Sequence, residues 1–363
     1  MSDTRSSFIG REAIIASSSL PSLINDDDIN NAQSLSELDF QDIYFDNNGH
    51  AMMKGLETNL FDKTPPLVGI PRGVQEEVAG IIEKTFRLAT EGNTDRFFMV
   101  HRNVRYRVQK MVNVLDGDWF TIRKTMPPPR LGNIKGMSPQ VRRALMLLCS
   151  PRTDDFRGGS GLILFVGETA SGKTTTGLSL LQEALLLHGD VAVSCEDPVE
   201  IKMSGGYGPN SHGWFFQHET RGDYETAMQV AMRETPRYIY LGEIRGREEA
   251  EQAIAASMNG HVVISTMHSD SPINAINRLI YLSRDREISR NNVASGISAV
   301  IHQDLLRSQG QKGKYVKQDC LFFDDDPGPR GMIRSDIAHQ LTNIIEKQRN
   351  LCLKNELPIF QKR

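Results

Sequence analysis

The chain has 363 residues, with 39% hydrophobic and 24% charged side chains and a net charge of −3 at pH 7. This length exceeds that of a typical domain with a single hydrophobic core, so we expect two domains. No apolar stretch approaches the ~18 residues of a membrane-spanning helix, and the polar, Ser/Asp-rich start lacks a secretory-signal pattern. We therefore expect a cytoplasmic protein that reaches the membrane only through partners, without inserting into it. The acidic balance disfavours nucleic acid as a partner and leaves only a local basic patch open for it.

The first part of the chain combines strand-like runs with one amphipathic helix. Residues 1–33 are rich in Ser, Asp and Asn, which predicts a flexible tail. Within residues 34–126, Asn48-Gly49 lies between two apolar runs and is a strong hairpin signal. A helical pattern follows, with Val74, Val78, Ile81, Ile82 and Phe86 on one face, and then strand-like runs at 97–100, 104–108 and 119–122. We expect a small α+β domain here.

The second part begins after three consecutive prolines at 127–129, which are stiff and predict a linker over residues 127–137. Over residues 138–363, helical and strand patterns alternate. This alternation predicts an α/β fold with a mostly parallel sheet covered by helices. The Gly/Asn/Ser-rich segment 204–213 is predicted to be a long surface loop, and loops of that length are often functional.

One motif in the second part identifies a phosphate-binding loop. The apolar run 162–166 is followed by Gly167-Glu168-Thr169-Ala170-Ser171-Gly172-Lys173-Thr174, with Thr175 next in the helical segment. This is G-x-x-x-x-G-K-[ST] between a strand and a helix, where loop amides and the helix N-terminus cradle phosphate oxygens. Lys173 would reach the β- and γ-phosphates, and the Thr174 hydroxyl would hold Mg²⁺. The sequence therefore predicts a nucleoside triphosphate site.

Three further polar segments each follow an apolar strand, and the carboxyl ends of strands in open α/β sheets meet at one crevice. The segments contain Glu196, Glu243, and the pair His261 and His268. Taken singly, an acid after a strand is also a common helix cap, and a lone histidine is often structural. The two histidines flank a strand and would point to opposite faces, so we expect no joint metal site.

In this order the four motifs resemble the secretion ATPases of the type II/IV superfamily, which includes PilT-like pilus retraction motors. The resemblance covers residues from about 35 to 340. Residues 191–200 resemble its aspartate box, residues 231–245 its Walker B region and residues 261–278 its histidine box. The resemblance implies a PAS-like N-terminal domain, a linker and a RecA-like ATPase domain. It also implies a homohexameric ring that hydrolyses ATP with Mg²⁺ and docks onto a membrane-embedded secretion or pilus machine.

The resemblance also implies roles for the polar side chains at the strand ends. Glu243 would orient or deprotonate the attacking water, and Glu196 would lie at Mg²⁺ or in its water shell. His268 would contact the γ-phosphate or sense its loss, and His261 would brace that region.

Segments 104–108 and 121–123 resemble the parts of the N-terminal domain that supply arginines to a neighbouring subunit. Arg107 and Arg123 are the candidates in this chain. Such cations would offset the negative charge that develops during phosphoryl transfer. The alternative interpretation is that both are surface charges on strands.

Departures from the family pattern indicate which branch of the superfamily this chain resembles. Retraction motors resemble G-P-T-G-S-G-K-S, whereas this loop has Glu168 and Ala170, and Gly246 replaces the usual Asp after the Walker B arginine. The paired cysteines of the type II secretion branch are absent. We favour a motor of the DotB/TraJ type, which powers type IVB secretion or conjugative transfer. The alternatives are a type IV pilus retraction ATPase, a nucleotide-gated scaffold with little turnover, and a nucleic-acid translocase.

Overall fold

The structure, a computed structural model, describes residues 31–56, 67–102, 104–113, 117–152, 159–282, 286–307, 314–323, 327–354 and 356. Two compact units divide the chain after Met126. Residues 1–30 of the tail predicted over residues 1–33 lie outside the described residues. Ala32, within the predicted tail, is buried. Across the described ranges, no helix has the length and apolar character needed to cross a bilayer.

The first unit is an antiparallel sheet with one long helix, as the sequence predicts. Its described elements are β1 (Asp42–Asp46), β2 (Ala51–Lys54), β3 (Leu67–Gly69), α1 (Gln75–Gly92), β4 (Arg96–His101), β5 (Val104–Asn113) and β6 (Gly117–Thr125). The strand order is β3-β2-β1-β6-β5-β4, and neighbouring strands are antiparallel. The short β3 was not predicted, since three residues carry too little periodic signal.

Helix α1 packs one face against this sheet because its apolar residues recur at helical spacing. Val78 and Ile81 are fully buried with Phe45 and Phe120, whose rings stack at 5.4 Å between centroids. The predicted hairpin at Asn48-Gly49 is confirmed by the pairing of β1 with β2.

The second unit is built on a mixed eight-stranded sheet. Its strands are β7 (Gly161–Val166), β8 (Asp190–Glu196), β9 (Gly205–Tyr207), β10 (Gly213–Glu219), β11 (Tyr238–Leu241), β12 (Val262–Met267), β13 (Ile297–Arg307) and β14 (Lys314–Phe322). The order is β14-β13-β7-β12-β11-β8-β10-β9, with a parallel centre and antiparallel pairing of β14 and β9 at the edges. The predicted mostly parallel sheet is confirmed.

Helices cover both faces of this sheet. They are α2 (Pro139–Cys149), α3 (Lys173–His188), α4 (Tyr224–Arg233), α5 (Arg247–Met258), α6 (Pro272–Leu282), α7 (Arg286–Gly296), α8 (Pro327–Arg334) and α9 (Leu341–Leu353). One core joins α2 and α3 to the sheet, and a second core joins α4 to α7 to its opposite face. Strands β7, β11 and β12 are buried throughout, which fits the continuous apolar sequences of β7 and β11. In β12, the hydroxyls of Ser265 and Thr266 are buried but donate to the Leu241 and Gly242 carbonyls.

Two sequence predictions need correction in this unit. The segment 204–213 is not simply a surface loop, because it contains β9 and leads into β10, which pairs in parallel with β8. The region predicted as linker is also partly structured. Leu131 is fully buried in the second unit, and the Lys135 carbonyl accepts a hydrogen bond from the Val316 amide at 2.8 Å. Short Gly-rich strands carry little periodicity, and the packing of a Pro-rich segment depends on distant residues.

Candidate nucleotide site

The phosphate loop connects β7 to α3 through a run of unusual backbone angles. Gly167 has φ 148°, Ala170 φ 65° and Gly172 φ 85°. A β-carbon on Gly167 would collide with the carbonyl oxygen of Gln303 on β13, so only glycine fits at that strand end. Helix α3 then begins at Lys173 and directs its first amides toward the loop.

Lys173 lies folded over this loop. Its side chain is buried, and Nζ donates to the carbonyl oxygens of Gly167 at 2.9 Å and Glu168 at 2.5 Å. Burial lowers the pKa of the Lys173 ammonium, and the nearby carboxylates of Glu243 and Glu168 oppose that shift. The ammonium is therefore held at the loop by weak carbonyl acceptors, which phosphate oxygens can replace with stronger charge-assisted bonds.

The rest of the loop motif divides by exposure. Glu168, Thr169 and Ala170 are exposed at the tip, while Thr174 and Thr175 are half-buried in the first turn of α3. Ser171 is buried, and its hydroxyl has no hydrogen-bond partner among the residues that the structure describes. An unpartnered buried hydroxyl within a cradle of loop amides fits an anionic ligand such as a phosphate chain.

A buried glutamine holds the loop in this shape. Gln303 Nε2 donates to the Ser171 carbonyl at 2.7 Å, and Gln303 Oε1 accepts from Thr176 at 3.0 Å and from Gln318 at 2.9 Å. Gln303 is fully buried. Its amide thus joins the loop, helix α3 and the edge strand β14. Sequence reasoning missed this residue, and the only available signal was a polar side chain within the apolar strand β13.

Glu196 ends strand β8 as a buried carboxylate. Its Oε1 accepts hydrogen bonds from Ser194 at 2.7 Å and from Gln217 Nε2 at 3.0 Å. Burying a carboxylate is costly unless donors surround it, and these two supply that compensation. Gln217 comes from β10, and sequence reasoning missed it. Glu196 also lies beside the turn after β11, since a β-carbon on Gly242 would contact its side chain at 3.4 Å.

Glu243 follows β11, and its carboxylate contacts two basic side chains. Its Oε1 lies 3.1 Å from His268 Nε2, and its Oε2 accepts a hydrogen bond from Arg245 Nε at 2.6 Å. The turn is pinned to β12, because Thr266 donates its hydroxyl to the Gly242 carbonyl at 2.8 Å. Glu243, His268 and Lys173 are thus brought together at the carboxyl edge of the sheet, as the strand order predicts.

His261 is not part of this constellation, which corrects the role expected for it. It precedes β12, whereas His268 follows that strand, and Nδ1 of His261 contacts the Pro236 carbonyl at 2.7 Å. The His261 carbonyl also accepts from Gly161 at the first residue of β7. With a rise of ~3.3 Å per residue, the strand places the two histidines roughly 20 Å apart. His261 therefore stabilises the sheet at the amino-terminal ends of its parallel strands, opposite the ends that carry Glu243 and His268.

The candidate arginines lie in the first unit. Arg123 makes two hydrogen bonds to the buried Asp42 carboxylate, at 2.8 Å from Nε and 3.0 Å from a terminal nitrogen. Arg107 pairs with Arg123 in the β5–β6 register and therefore lies on the same face of the sheet. Their action on the nucleotide of a neighbouring subunit stays a prediction.

The residues present fit Mg²⁺ bound together with a nucleotide. Thr174 and Glu196 offer oxygen ligands, and Mg²⁺ normally takes only one or two protein oxygens beside phosphates and water. Over the described residues, no cluster of three or more His, Cys, Asp or Glu side chains is arranged to hold a metal by itself.

The chain is similar to several known proteins. The protein YggR of Escherichia coli is 31% identical over 194 residues, which cover 52% of this chain and 56% of that protein. The chain thus matches about half the length of this relative. The structure of the pilus retraction motor PilT with bound ADP superposes with a TM-score of 0.64 at 23% identity, covering 86% of this chain and 87% of that one.

The ATPase DotB of Yersinia pseudotuberculosis superposes with a TM-score of 0.63 at 19% identity, covering 87% of each chain. Identities this low establish the fold alone, and the expected mixed α/β architecture is confirmed. The sequence model of the family described as type II/IV secretion system protein matches residues 90–352, which is most of the chain. The chain therefore belongs to the type II/IV secretion system protein family.

Proposed function

We propose that this chain is an ATPase subunit that couples ATP hydrolysis to work on a secretion or conjugation machine. The observation that supports this most is the position of Lys173. Its buried ammonium lies over the phosphate loop, and the carboxylate of Glu243, at the end of β11, attracts it electrostatically although β12 separates β11 from β7 in the sheet. A phosphate cradle with a carboxylate beside it can both bind a triphosphate and direct water at it.

The chain's own groups have distinct tasks in this proposal. Loop amides and Lys173 bind the phosphate oxygens, and Thr174 and Glu196 hold Mg²⁺ or its water. When bound, Mg²⁺ supplies Lewis-acid stabilisation of the charge on those oxygens. Glu243 accepts a hydrogen bond from the attacking water. An ionised carboxylate has lone pairs for this in addition to those used by His268 and Arg245.

Within this proposal, the machine that the ATPase powers is a type IVB secretion or conjugative transfer apparatus. The chain would form a homohexameric ring that docks on this membrane-embedded machine. The loop departures at Glu168 and Ala170 support this branch over pilus retraction, and the resemblance to an ATPase named DotB is in line with it. The comparable resemblance to PilT keeps type IV pilus retraction as the second candidate. In a ring, Arg107 or Arg123 would reach the nucleotide of the adjacent subunit.

Phosphate release from ATP by the full-length protein tests the activity. Lys173→Ala should lower turnover at least about 100-fold, the cost typical of losing one preorganised cation or donor at a transition state. Lys347→Ala, an exposed lysine on α9, is the matched control and should keep the wild-type rate. Negligible single-turnover hydrolysis by the assembled wild type would contradict the motor and favour a nucleotide-gated scaffold.

The branch is tested in the source organism with a chromosomal Lys173→Ala substitution. Loss of conjugation or effector secretion with normal surface motility supports the assignment. Loss of pilus retraction with normal transfer would replace it with the second candidate. ATPase stimulation by DNA that disappears at high salt would instead indicate a nucleic-acid translocase.

A further inference from the structure

Tyr240 occupies an unusual place beneath the phosphate loop. It lies on β11, where it pairs with Ser194 of β8 and Ile264 of β12, and it is fully buried. Its side chain points to the face of the sheet that α3 covers. A β-carbon on Gly177 of α3 would lie 3.3 Å from the ring. The absence of a side chain at Gly177 therefore lets the phenol reach under the first turn of the helix.

The hydroxyl of Tyr240 is buried and completes no hydrogen bond with the described residues. Buried polar groups are nearly always partnered, so an orphan of this kind indicates a ligand, a water or a metal shell nearby. A tyrosine hydroxyl is both a donor and an acceptor, so it can accept one hydrogen bond and donate another.

The surroundings of this hydroxyl are the proposed metal ligands. Thr174 lies in the first turn of α3, one turn before Gly177, where the Tyr240 ring packs, and its side chain is a hydrogen-bonding neighbour of the phenol. Glu196 belongs to the same face through Ser194, which pairs with Tyr240 and donates to the Glu196 carboxylate. The buried hydroxyl thus lies on the sheet face that carries Glu196 and against the start of the helix that carries Thr174, the two side chains that would hold Mg²⁺.

We infer that Tyr240 is a positioning residue for the magnesium-binding hydroxyl of Thr174. This inference rests on the proposed function of the site. A threonine oxygen that gives a lone pair to Mg²⁺ must donate its proton elsewhere, and the phenol oxygen of Tyr240 accepts it. The phenol in turn donates its own proton toward Glu196 or a metal-bound water. The hydrogen-bonded chain fixes the Thr174 rotamer, so the lone pair is already directed at the cation.

The same strand supplies a matched control. Tyr238 lies two residues earlier, on the same face, and is equally buried. Its hydroxyl donates to the Cys149 carbonyl at 3.0 Å, at the amino end of the strand and away from the loop. Tyr238→Phe and Tyr240→Phe both remove one buried hydroxyl and keep the ring, so they differ in which end of β11 they alter.

The test is a Mg²⁺ titration of fluorescent ADP binding to the full-length protein, with a parallel measurement in EDTA. Tyr240→Phe should raise the Mg²⁺ concentration at half-saturation about 10- to 100-fold, the usual effect of losing a group that orients a metal ligand. Its metal-free ADP affinity should be unchanged, and Tyr238→Phe should match the wild type. In a Thr174→Ala background, Tyr240→Phe should add nothing further, because both variants remove the same interaction.

An unchanged Mg²⁺ midpoint in Tyr240→Phe overturns the inference, as does a full additional effect in the Thr174→Ala background. ATP hydrolysis by the wild type, measured on the same samples, reports separately on the proposed function. If the wild type hydrolyses ATP but Tyr240→Phe has an unchanged Mg²⁺ midpoint, only the inference about Tyr240 is overturned. If the wild type binds ADP without any dependence on Mg²⁺, the inference about Tyr240 is overturned. If the wild type does not hydrolyse ATP, the proposed function is overturned as well.

Discussion

His268 and Glu243 come together from the carboxyl ends of two neighbouring strands, with 3.1 Å between the imidazole Nε2 and the carboxylate Oε1. The Arg278 guanidinium donates to the His268 carbonyl at 3.1 Å and helps to fix the histidine backbone. The imidazole therefore orients the acid that would act on water. This places His268 in contact with the carboxylate that we propose to be catalytic.

His268→Ala should lower kcat about 10- to 100-fold and leave ADP affinity within about twofold. The variant frees the Glu243 carboxylate to rotate, and small misplacements of a reacting group are costly, while the phosphate loop itself is untouched. Steady-state ATPase kinetics and calorimetric ADP titration measure the two quantities. His261→Ala is the control, because His261 lies at the opposite edge of the sheet. A comparable loss of kcat in both variants would contradict this account.

Gln303→Leu should destabilise the protein by about 2–4 kcal/mol and weaken ADP binding. It leaves the Ser171 carbonyl, the Thr176 hydroxyl and the Gln318 amide without their shared partner, and each buried unpaired group costs ~1–3 kcal/mol. Urea unfolding and ADP titration test this. Gln318→Leu removes only the outermost bond and should show the smaller effect. Equal ADP affinity in Gln303→Leu and wild type would show that the loop keeps its shape without this brace.

Ala170→Gly should stabilise the nucleotide-free protein by about 0.5–1 kcal/mol. Ala170 has φ 65°, a left-handed conformation that costs a residue with a β-carbon ~1–2 kcal/mol, and the added chain entropy of glycine offsets part of the gain. Gly172→Ala is the converse test. Its φ is 85° and a β-carbon there would approach Gln303 Nε2 at 3.0 Å, so it should destabilise. A lower free energy of unfolding for Ala170→Gly than for wild type in urea would contradict the claim that the backbone at Ala170 is strained.

The carboxyl group of Asp46 should make the free energy of unfolding depend on pH in the acidic range. Burial alone would raise the pKa of this carboxyl, but hydrogen bonds from the His50 ring and from the His50 and Asn48 amides outweigh burial and lower it. Because the folded pKa lies below the unfolded value of ~3.9, the stabilisation is complete above that value and is lost as the pH falls through the folded pKa.

Asp46→Asn should therefore be less stable than wild type at pH 7, with a difference that shrinks as the pH falls below about 4. Unfolding free energies from urea titrations at several pH values measure this difference. Glu91→Gln, an exposed carboxylate on α1, should show no such pH-dependent gap. A gap that stays constant from pH 7 to pH 3 would mean that the lost contacts do not depend on the charge of Asp46.

Local sequence patterns were enough to predict the phosphate loop and the strand ends that carry Glu196 and Glu243. A motif fixes which residues follow a strand, and parallel packing brings the strand ends to one edge. The pattern placed His261 and His268 on either side of one strand, whereas the family resemblance implied a role in the same region for both. The strand between them separates the two side chains in the structure.

Residues that act through tertiary contacts escaped prediction for a different reason. Gln303 reaches the loop only because β13 pairs with β7, a register that no local pattern encodes. In the sequence, Tyr240 is indistinguishable from the other large side chains of a buried strand. Only the structure shows that its ring packs beneath Gly177 of α3. The β10 glutamine, Gln217, required knowing that its segment joins the sheet.

The most direct measurement of the central claim is ATP turnover by Glu243→Gln. Glutamine keeps the shape of the side chain and removes the charge that orients water, so kcat should fall about 10²- to 10⁴-fold while ATP still binds. Glu251→Gln, an exposed carboxylate on α5, should turn over ATP like the wild type. Glu243→Gln protein that binds ATP and hydrolyses it at the wild-type rate would contradict the account.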